Sequence, residues 1–243
     1  MKQKIGLTLC SGFLLMLFAC NTKDQATQII LDSLEAHGGI EKWKNTKELS
    51  YLKTTILFDS LGNIEKKITQ KHKNTFRPNF TAEMYWEEDS IHKKVTFEGD
   101  RTTVFYNDSL QNSTNLEEKY YNNIIAANYV MWQPYKLLDA DVSLRYMGEE
   151  NIDGKQAHVI KASYVNDDGS AANTWWYYFD VTTNKLVGNM VHHGTTYSYI
   201  ENIKYENKTG LFLNAERKSY MTDSVRNIKF LRAQYFYEIV SFQ

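Results

Sequence analysis

The sequence predicts a mainly β protein with some helix, in the α+β class. Tyrosine (17 residues) and phenylalanine (12 residues) are abundant among the 243 residues, a composition typical of sheets with aromatic cross-strand pairs. Long stretches alternate apolar and polar residues with the period of two that strands have. Turn-forming aspartate, asparagine and glycine residues separate these stretches. Together these stretches predict about twelve strands and two helices.

The composition also limits the domain organisation and the partners. Only two prolines occur and no low-complexity linker interrupts the chain, which favours a single domain over residues 26–243. The 28 basic and 29 acidic residues nearly cancel, and no basic stripe runs along the chain. We therefore expect no nucleic-acid partner.

Residues 1–19 form a predicted lipoprotein signal peptide. Lys2 and Lys4 precede an apolar run over residues 5–18 that is too short to span a bilayer comfortably. The run ends in Leu17-Phe18-Ala19-Cys20, which resembles the lipobox of bacterial lipoproteins. The resemblance implies cleavage before Cys20 and acylation of that residue, so that acyl chains anchor the protein to a membrane. The alternative is an ordinary signal peptide followed by an incidental cysteine.

The cleaved chain would keep Cys20 alone. Because Cys10 is removed with the signal peptide, no intramolecular disulfide can form. Residues 20–25 are then a polar tether. Asn21, directly after the cysteine, implies the outer membrane as the default destination, by resemblance to the sorting rules of other bacteria.

Two helices are predicted from apolar periodicity and from their ends. The first ends at Gly38-Gly39, and residues 40–44 add one further turn that carries Trp43. His37 is interpreted as a satisfied histidine at the C-terminal end of this helix rather than as a ligand, because a cation there complements the helix dipole. The second helix covers residues 115–133, starts with a sequence that resembles a capping box and is closed by Pro134. It lies between two runs of strands and would cover one face of the sheet.

The strongest strand signal is the aromatic and β-branched stretch at residues 174–193. The polar turn at residues 180–184 predicts a hairpin with Phe179 opposite Leu186. Counting outward pairs Tyr177 with Gly188 and Trp175 with Met190. Alternation then places one set of side chains on a common face, namely Trp175, Tyr177, Phe179, Leu186, Met190 and His192. The other face is also largely apolar, so both faces should be covered.

Several short motifs resemble a family of uncharacterised Gram-negative outer-membrane lipoproteins and, more remotely, the LolA/LolB lipoprotein-sorting fold. They are His37-Gly-Gly-Ile-Glu-Lys-Trp43, Phe76-Arg77-Pro78, Phe97-Glu-Gly-Asp100 with Val104-Phe-Tyr106, Tyr178-Phe-Asp180 and Thr209-Gly-Leu-Phe-Leu213. Asn214 stands where a proline is common in relatives. The resemblance implies a strongly curved antiparallel sheet, an open barrel, with two helices on its concave side. It also implies an envelope location and a concave face that holds acyl chains or other apolar ligands.

The concave face therefore supplies the candidate ligand-binding residues. They are Trp175, Tyr177, Phe179, Met190, Tyr199 and Tyr235. In the competing interpretation these rings fill the barrel as core, and the chain is a structural or glycan-binding surface lipoprotein. A glycan platform would require Trp175 and Trp176 to be exposed.

The sequence contains no catalytic or metal-binding signature. His192 and His193 are adjacent on a strand, so they point to opposite faces and cannot chelate one metal ion together. No Gly-x-Ser-x-Gly elbow or phosphate loop occurs. The carboxylate pairs Glu149-Glu150 and Asp167-Asp168 fall in predicted turns, where solvated side chains are expected rather than a tuned acid and base. We therefore expect no cofactor, no metal and no enzyme activity.

Five Asp-Ser-aliphatic tripeptides resemble the acceptor motif of bacterial periplasmic O-glycosylation. They start at Asp32, Asp59, Asp89, Asp108 and Asp223. Because Asp-Ser is common in turns, an ordinary turn remains an equal explanation.

The lipobox generates a test of membrane anchoring. We expect Cys20→Ser to release a soluble form, because the thiol that carries the acyl chains is lost. The measurement is fractionation with a carbonate wash, followed by mass spectrometry of the N-terminal peptide. A Cys20→Ser variant that stays in the washed membrane fraction would contradict the lipobox interpretation.

Overall fold

The computed structural model describes residues 22–165 and 171–243. The predicted signal peptide, Cys20 and the predicted turn at Asp167-Asp168-Gly169 lie outside the described residues. The described part forms one antiparallel sheet of thirteen strands that is curved and unclosed. The predicted open barrel is therefore confirmed, and a short strand at Ser109–Leu110 was not among the predicted strands.

The helices and strands follow the chain in two runs of strands separated by a helix. The helices are α1 (Thr22–Ala36), α2 (Ile40–Asn45) and α3 (Thr114–Met131), and a 3-10 turn covers Tyr135–Leu138. The first run contains β1 (Glu48–Phe58), β2 (Ile64–Thr75), β3 (Thr81–Glu88), β4 (Ile91–Glu98), β5 (Arg101–Tyr106) and β6 (Ser109–Leu110). The second contains β7 (Val142–Ile152), β8 (Lys155–Val165), β9 (Ala171–Asp180), β10 (Leu186–His193), β11 (Thr196–Tyr205), β12 (Asn214–Thr222) and β13 (Ile228–Phe242).

The two runs join where the first strand pairs with the last. The strand order is β6-β5-β4-β3-β2-β1-β13-β12-β11-β10-β9-β8-β7, so each run is a simple meander. Strands β1 and β13 pair from Leu49 with Phe242 to Leu57 with Ala233. We call this pairing the seam, because it is the contact that makes one sheet of the two meanders.

The helices lie mainly over the two ends of the concave face. Helix α1 packs against β7 and the 3-10 turn, and it buries Ala26, Ile30 and Leu34. Helix α3 packs on β3, β4 and β5, and it buries Tyr120 and Ile124 there. The middle of the concave face, on either side of the seam, is consequently the part left open.

Helix α3 begins one residue earlier than predicted. The hydroxyl of Ser113 accepts a hydrogen bond from the backbone N–H of Leu116 at 3.4 Å, which makes Ser113 the N-cap. At the other end of the helix, Met131 and Trp132 enter the core that α1 also contacts. One continuous core thus connects the two helices.

A β-bulge at Val187 changes the facing of strand β10. Leu186 pairs with Phe179 as predicted, but Gly188 pairs with Tyr178 and not with Tyr177. The extra residue shifts every later pair by one position. Glycine is required beside the bulge, because a Cβ on Gly188 would lie 2.5 Å from a backbone oxygen of β11.

The shift overturns two predicted pairs of the hairpin. Met190 lies opposite Trp176, and Val191 lies opposite Trp175. The predicted pairing of Tyr177 with Gly188 and of Trp175 with Met190 is therefore wrong. Beyond the bulge, Met190 and His192 belong to the convex face, and Val191 and His193 belong to the concave one.

The first Asp-Ser-aliphatic motif cannot serve as an acceptor in the folded chain. Ser33 lies inside α1 and is fully buried. By contrast, Asp59 and Asp223 lie in turns, where each side chain accepts hydrogen bonds from the backbone two and four residues further on. These motifs therefore have the turn role that their composition predicts.

His37 fastens the end of α1 to the segment that follows β11. Its Nδ1 donates towards the backbone oxygens of Phe212 (3.1 Å) and Leu211 (3.3 Å), and its Nε2 accepts from the N–H of Leu186 at 3.4 Å. This arrangement requires the neutral ring. Burial lowers the pKa of His37 to about 4, although the two carbonyls raise it in part and Lys185 lowers it further. The prediction of a satisfied histidine at the end of the helix is therefore confirmed, but the expectation that it is a cation is wrong.

The glycines beside His37 complete this contact, which we call the latch. Gly38 has φ +91°, and a Cβ there would lie 2.0 Å from the backbone oxygen of Gly210. The indole N–H of Trp43 donates to the backbone oxygen of His37 at 2.9 Å. Two of the motifs behind the family resemblance, at residues 37–43 and 209–213, thus contact each other.

The latch makes the fold acid-sensitive. Below about pH 6.5 the unfolded chain takes up a proton on His37 that the folded chain, with its pKa near 4, does not take up. The contribution of neutral His37 to the free energy of unfolding is therefore complete above pH 6.5 and is lost as the pH falls towards 4. The free energy of unfolding falls by about 2 kcal/mol between pH 7 and pH 5 for this reason. His72 acts in the same direction, because burial, and secondarily Lys53, lower its pKa to about 3.

Denaturant unfolding of wild type and His37→Gln at pH 7 and pH 5 measures this effect. We expect the variant to be less stable at pH 7 and to lose roughly 2 kcal/mol less than wild type between the two pH values. The matched control is His92→Gln, because the side chain of His92 is 77% exposed. Equal losses in wild type and His37→Gln would contradict the assignment.

Candidate functional site

A cavity of about 710 Å³ lies on the concave face, between α3 and the strands around the seam. We call it the central cavity. One side of α3 forms a wall from residues at helical spacing, namely Lys119, Tyr120, Asn123, Ala126, Ala127 and Val130. The apolar part of the remaining lining consists of Leu57, Ile68, Met84, Trp86, Trp175, Val191, Ile200 and Ala233. The volume falls within the range of about 300–1,000 Å³ that is usual for small-ligand sites.

Two of the six predicted ligand-binding residues line the central cavity. Trp175 is half-buried, with its ring 6.1 Å from that of Tyr177 and 6.0 Å from that of His193. Tyr235 lies on β13, next to the seam, and Lys53 Nζ lies 5.5 Å from the centre of its ring. Both side chains are placed to contact a ligand in the cavity.

Two more predicted residues face the same side but are core. Tyr177 and Phe179 are fully buried among the side chains of α1 and the end of α3. Gln133 donates a hydrogen bond to the Tyr177 hydroxyl at 3.2 Å. The competing interpretation of a filled barrel therefore holds for this end of the concave face and not for its middle.

The prediction that Met190 and Tyr199 line the cavity is wrong. Both pack with Tyr178 in a separate cluster on the convex face, where the Tyr178 hydroxyl lies 3.8 Å from the sulfur of Met190. The bulge at Val187 is the cause, because it rotates Met190, and Tyr199 pairs with Met190 on the next strand. Trp176 packs against this convex cluster too, so it forms no common surface with Trp175.

The charges that line the central cavity are unbalanced. They are Lys53, Lys66, Lys119, Arg217 and Arg232, against the single carboxylate of Glu88. Glu88 is bound by Lys66 and, at 2.7 Å, by Lys93, and the resulting hydrogen bonds lower its pKa to about 2. Arg232 pairs with Glu65.

Lys53 and Arg217, which we call the cation pair, have no such partner. No carboxylate of the described residues lies within 4.0 Å of either side chain. Arg217 is 3% exposed and donates to neutral acceptors, at 2.8 Å to Asn202 and at 2.7 Å to Asn189. Burial and, secondarily, the charge of Arg217 lower the pKa of Lys53 to about 8. Two cations therefore share one poorly hydrated space.

The sequence contains one indication that Lys53 is functional, although the alternation of β1 by itself does not reveal it. Leu49, Tyr51, Thr55 and Leu57 alternate along one face of β1, and Lys53 interrupts this set at its centre. A charged residue in the middle of an apolar face is unusual unless it is paired or functional. Arg217 gives no such signal, because it stands among Glu216 and Lys218 and resembles a solvated run.

The described part of the chain has neither a cluster of metal ligands nor a membrane-spanning helix. Nowhere in residues 22–165 and 171–243 do three metal-ligating side chains of the His, Cys, Asp or Glu type come together. Among the helices over the same residues, none has the length and apolar character needed to cross a bilayer.

Solved structures with the same fold cover most of the chain. A LolA superfamily protein from Nitrosomonas europaea has 12% identity and a TM-score of 0.52, over 90% of this chain and 92% of that one. A DUF1329 family protein from Desulfovibrio piger has 7% identity and a TM-score of 0.51 over the same shares. A Vibrio parahaemolyticus domain assigned to outer membrane lipoprotein sorting has 8% identity and a TM-score of 0.52, over 91% and 92%. The predicted LolA-like fold is thereby confirmed.

At the level of sequence, one family model matches the chain. It describes a family of unknown function, DUF6503, and it matches residues 2–235. Among proteins with curated descriptions, none matches this chain.

The unpaired cation predicts a stabilising substitution. Below about pH 8 Lys53 is charged in both the folded and the unfolded chain, so burial of its charge destabilises the folded state to the full extent. Between pH 8 and 10.5 Lys53 loses its proton in the folded chain before it does in the unfolded chain, so the free energy of unfolding rises with pH. We expect Lys53→Met to raise the free energy of unfolding at pH 7 by roughly 1–3 kcal/mol and to remove this rise with pH.

Denaturant unfolding at pH 7 and pH 10 checks both expectations. The other titratable groups lining the cavity are Lys66, His72, Glu88, Lys119, Tyr120, His193, Arg217, Arg232, Tyr235 and Tyr237, and all of them are retained in the variant. Lys71→Met is the matched control, because Lys71 is exposed on the neighbouring strand β2. A Lys53→Met variant less stable than wild type at pH 7 would contradict the assignment of Lys53 as a partly buried cation without a carboxylate partner.

Proposed function

We propose that this chain, which belongs to DUF6503, a family of unknown function, is a lipid-anchored envelope protein that binds an apolar ligand in its central cavity. The ligand is a lipid or another molecule with a long apolar part. The observation that carries the proposal is the cavity itself, which the helices leave open at the middle of the concave face.

The lining of the cavity supports an apolar ligand. Aliphatic side chains from both meanders and the rings of Trp86, Trp175 and Tyr235 surround one space. Burial of apolar surface in such a space contributes roughly 25 cal/mol for each Å² removed from water. A long alkyl chain would therefore gain a large part of its binding free energy without any specific polar contact.

The start of the domain supports a position close to a membrane. Helix α1 begins at Thr22, which directly follows the proposed acylated residue Cys20 and the next residue. The predicted tether, residues 20–25, therefore overlaps the first residues of this helix. An acylated Cys20 would hold the domain near the bilayer surface, and the outer membrane is the destination that Asn21 implies.

Truncation of Trp175 separates a cavity wall from a filled core. A tryptophan in a packed core costs about 3–5 kcal/mol when it is replaced by alanine. We expect Trp175→Ala to cost clearly less than this and to weaken the binding of a fluorescent fatty-acid probe by roughly 1–2 kcal/mol, because apolar contact is lost. Denaturant midpoint and probe affinity should be measured on the same preparation.

Trp176→Ala is the internal control, because Trp176 neighbours Trp175 in the chain but lies on the convex face. It should leave probe affinity unchanged. No probe binding by wild type, together with severe destabilisation by Trp175→Ala, would favour a filled barrel and overturn the proposal. Independently of these variants, mass spectrometry of organic extracts from gently purified protein would identify any ligand that copurifies.

A further inference from the structure

The central cavity combines an apolar lining with positive charge that no described residue neutralises. A buried cation without a partner is costly, because the protein interior replaces water poorly. Arg217 is held in a fixed position, since Asn189 and Asn202 both accept hydrogen bonds from its guanidinium. These two amides fix the guanidinium without cancelling its charge.

The two cations lie on strands that flank the same neighbour. In the register of the sheet, Lys53 on β1 is opposite Tyr237 of β13, and Arg217 on β12 is opposite Tyr235 of the same strand. Neighbouring strands are about 4.8 Å apart, so the two backbones are roughly 10 Å apart across β13. Both side chains line the central cavity, and their charges act on each other across it.

A third polar group in the same place also lacks a partner. His72 on β2 lines the central cavity, is 3% exposed and stacks on Tyr51 with ring centres 4.8 Å apart. Its Nε2 is buried and has no hydrogen-bond partner. A neutral imidazole can donate one N–H, and a buried donor without an acceptor is rare in proteins.

From this arrangement we propose that the ligand of the central cavity is an amphiphile with an anionic head group, a carboxylate or a phosphate, and that Lys53 and Arg217 bind that head group. The proposal rests on the proposed apolar-ligand function and specifies the ligand for the same site. The head group lies between the two cations over β13, where the N–H of His72 is a further donor. The apolar chain runs from there along Ile200 and Val191 towards Trp175.

A bound anion would provide a partner for the charges of Lys53 and Arg217 and for the buried ring nitrogen of His72. Hydrogen bonds between charged partners are about twice as strong as neutral ones, and the planar guanidinium matches a carboxylate or phosphate group. A bound anion removes the repulsion between Lys53 and Arg217. A neutral head group would leave both cations unpaired, and a cationic one would be repelled.

The test compares amphiphiles that share one chain and differ in the head group. The soluble protein carrying Cys20→Ser is titrated with hexadecanoate, hexadecyl phosphate, hexadecanol and hexadecyltrimethylammonium, each by displacement of one neutral fluorescent probe. We expect both anions to bind roughly tenfold or more tightly than hexadecanol. Inorganic phosphate alone should displace no probe, because it lacks the chain.

Lys53→Met identifies the residue that distinguishes the head groups. In this variant the preference for the two anions over hexadecanol should be lost, so that the three affinities agree within about twofold. Arg217→Gln is the second variant, and the unfolding midpoint of each variant shows that the fold is retained. Lys71→Met, on the outside of the neighbouring strand, should bind all four amphiphiles as wild type does.

Each outcome separates this proposal from the function on which it rests. Equal binding of hexadecanol and the two anions would overturn the anionic head group and leave the apolar-ligand function standing. Absence of binding by every amphiphile would overturn both. Equal weakening of hexadecanol and hexadecanoate by Lys53→Met would place Lys53 in the general shape of the cavity and not at the head group. Displacement by inorganic phosphate alone would indicate a small-anion site without a chain.

Discussion

The structure depends on the pairing of its first strand with its last. Without the hydrogen bonds between β1 and β13, the chain would be two separate meanders, each with an unpaired edge that invites association with other chains. The seam also positions the candidate site. Lys53 lies on β1, His72 on the strand beside it, Tyr235 and Tyr237 on β13, and Arg217 on the strand after that. The groups that surround the proposed head group therefore come together only when the two ends of the chain meet.

The cavity has a simple origin in the distribution of the helices. A sheet of this size has more concave surface than two helices can cover, and α1 and α3 pack towards opposite ends. At the α1 end the large rings of Tyr177 and Phe179 fill the space completely. Beside the seam, one row of residues across β11, β12 and β13 is small or of medium size, namely Ile200, Ser219 and Ala233. The concave face of one sheet therefore forms packed core at one end and a cavity in the middle.

Much of the fold could be predicted from the sequence, since alternation and turn residues are local signals. The strands, α3 and the pairing of Phe179 with Leu186 follow from such signals. The bulge at Val187 does not, because alternation gives no sign of the extra residue, and the close approach of Gly188 to the backbone of the next strand is visible only in the fold. That one extra residue moved Met190 and Tyr199 out of the candidate site. The role of His37 was missed for a related reason, since its partners at Leu211 and Phe212 are distant in sequence.

The seam also determines when the central cavity can exist. Synthesis proceeds from β1 to β13, so β1 waits without its partner until the last strand has been made, and contacts between such distant segments form slowly. Every earlier stage of the chain lacks Tyr235 and Tyr237, and with them one side of the cavity. The cavity is therefore incomplete throughout synthesis, and a ligand can bind in it only after the last strand has paired with the first.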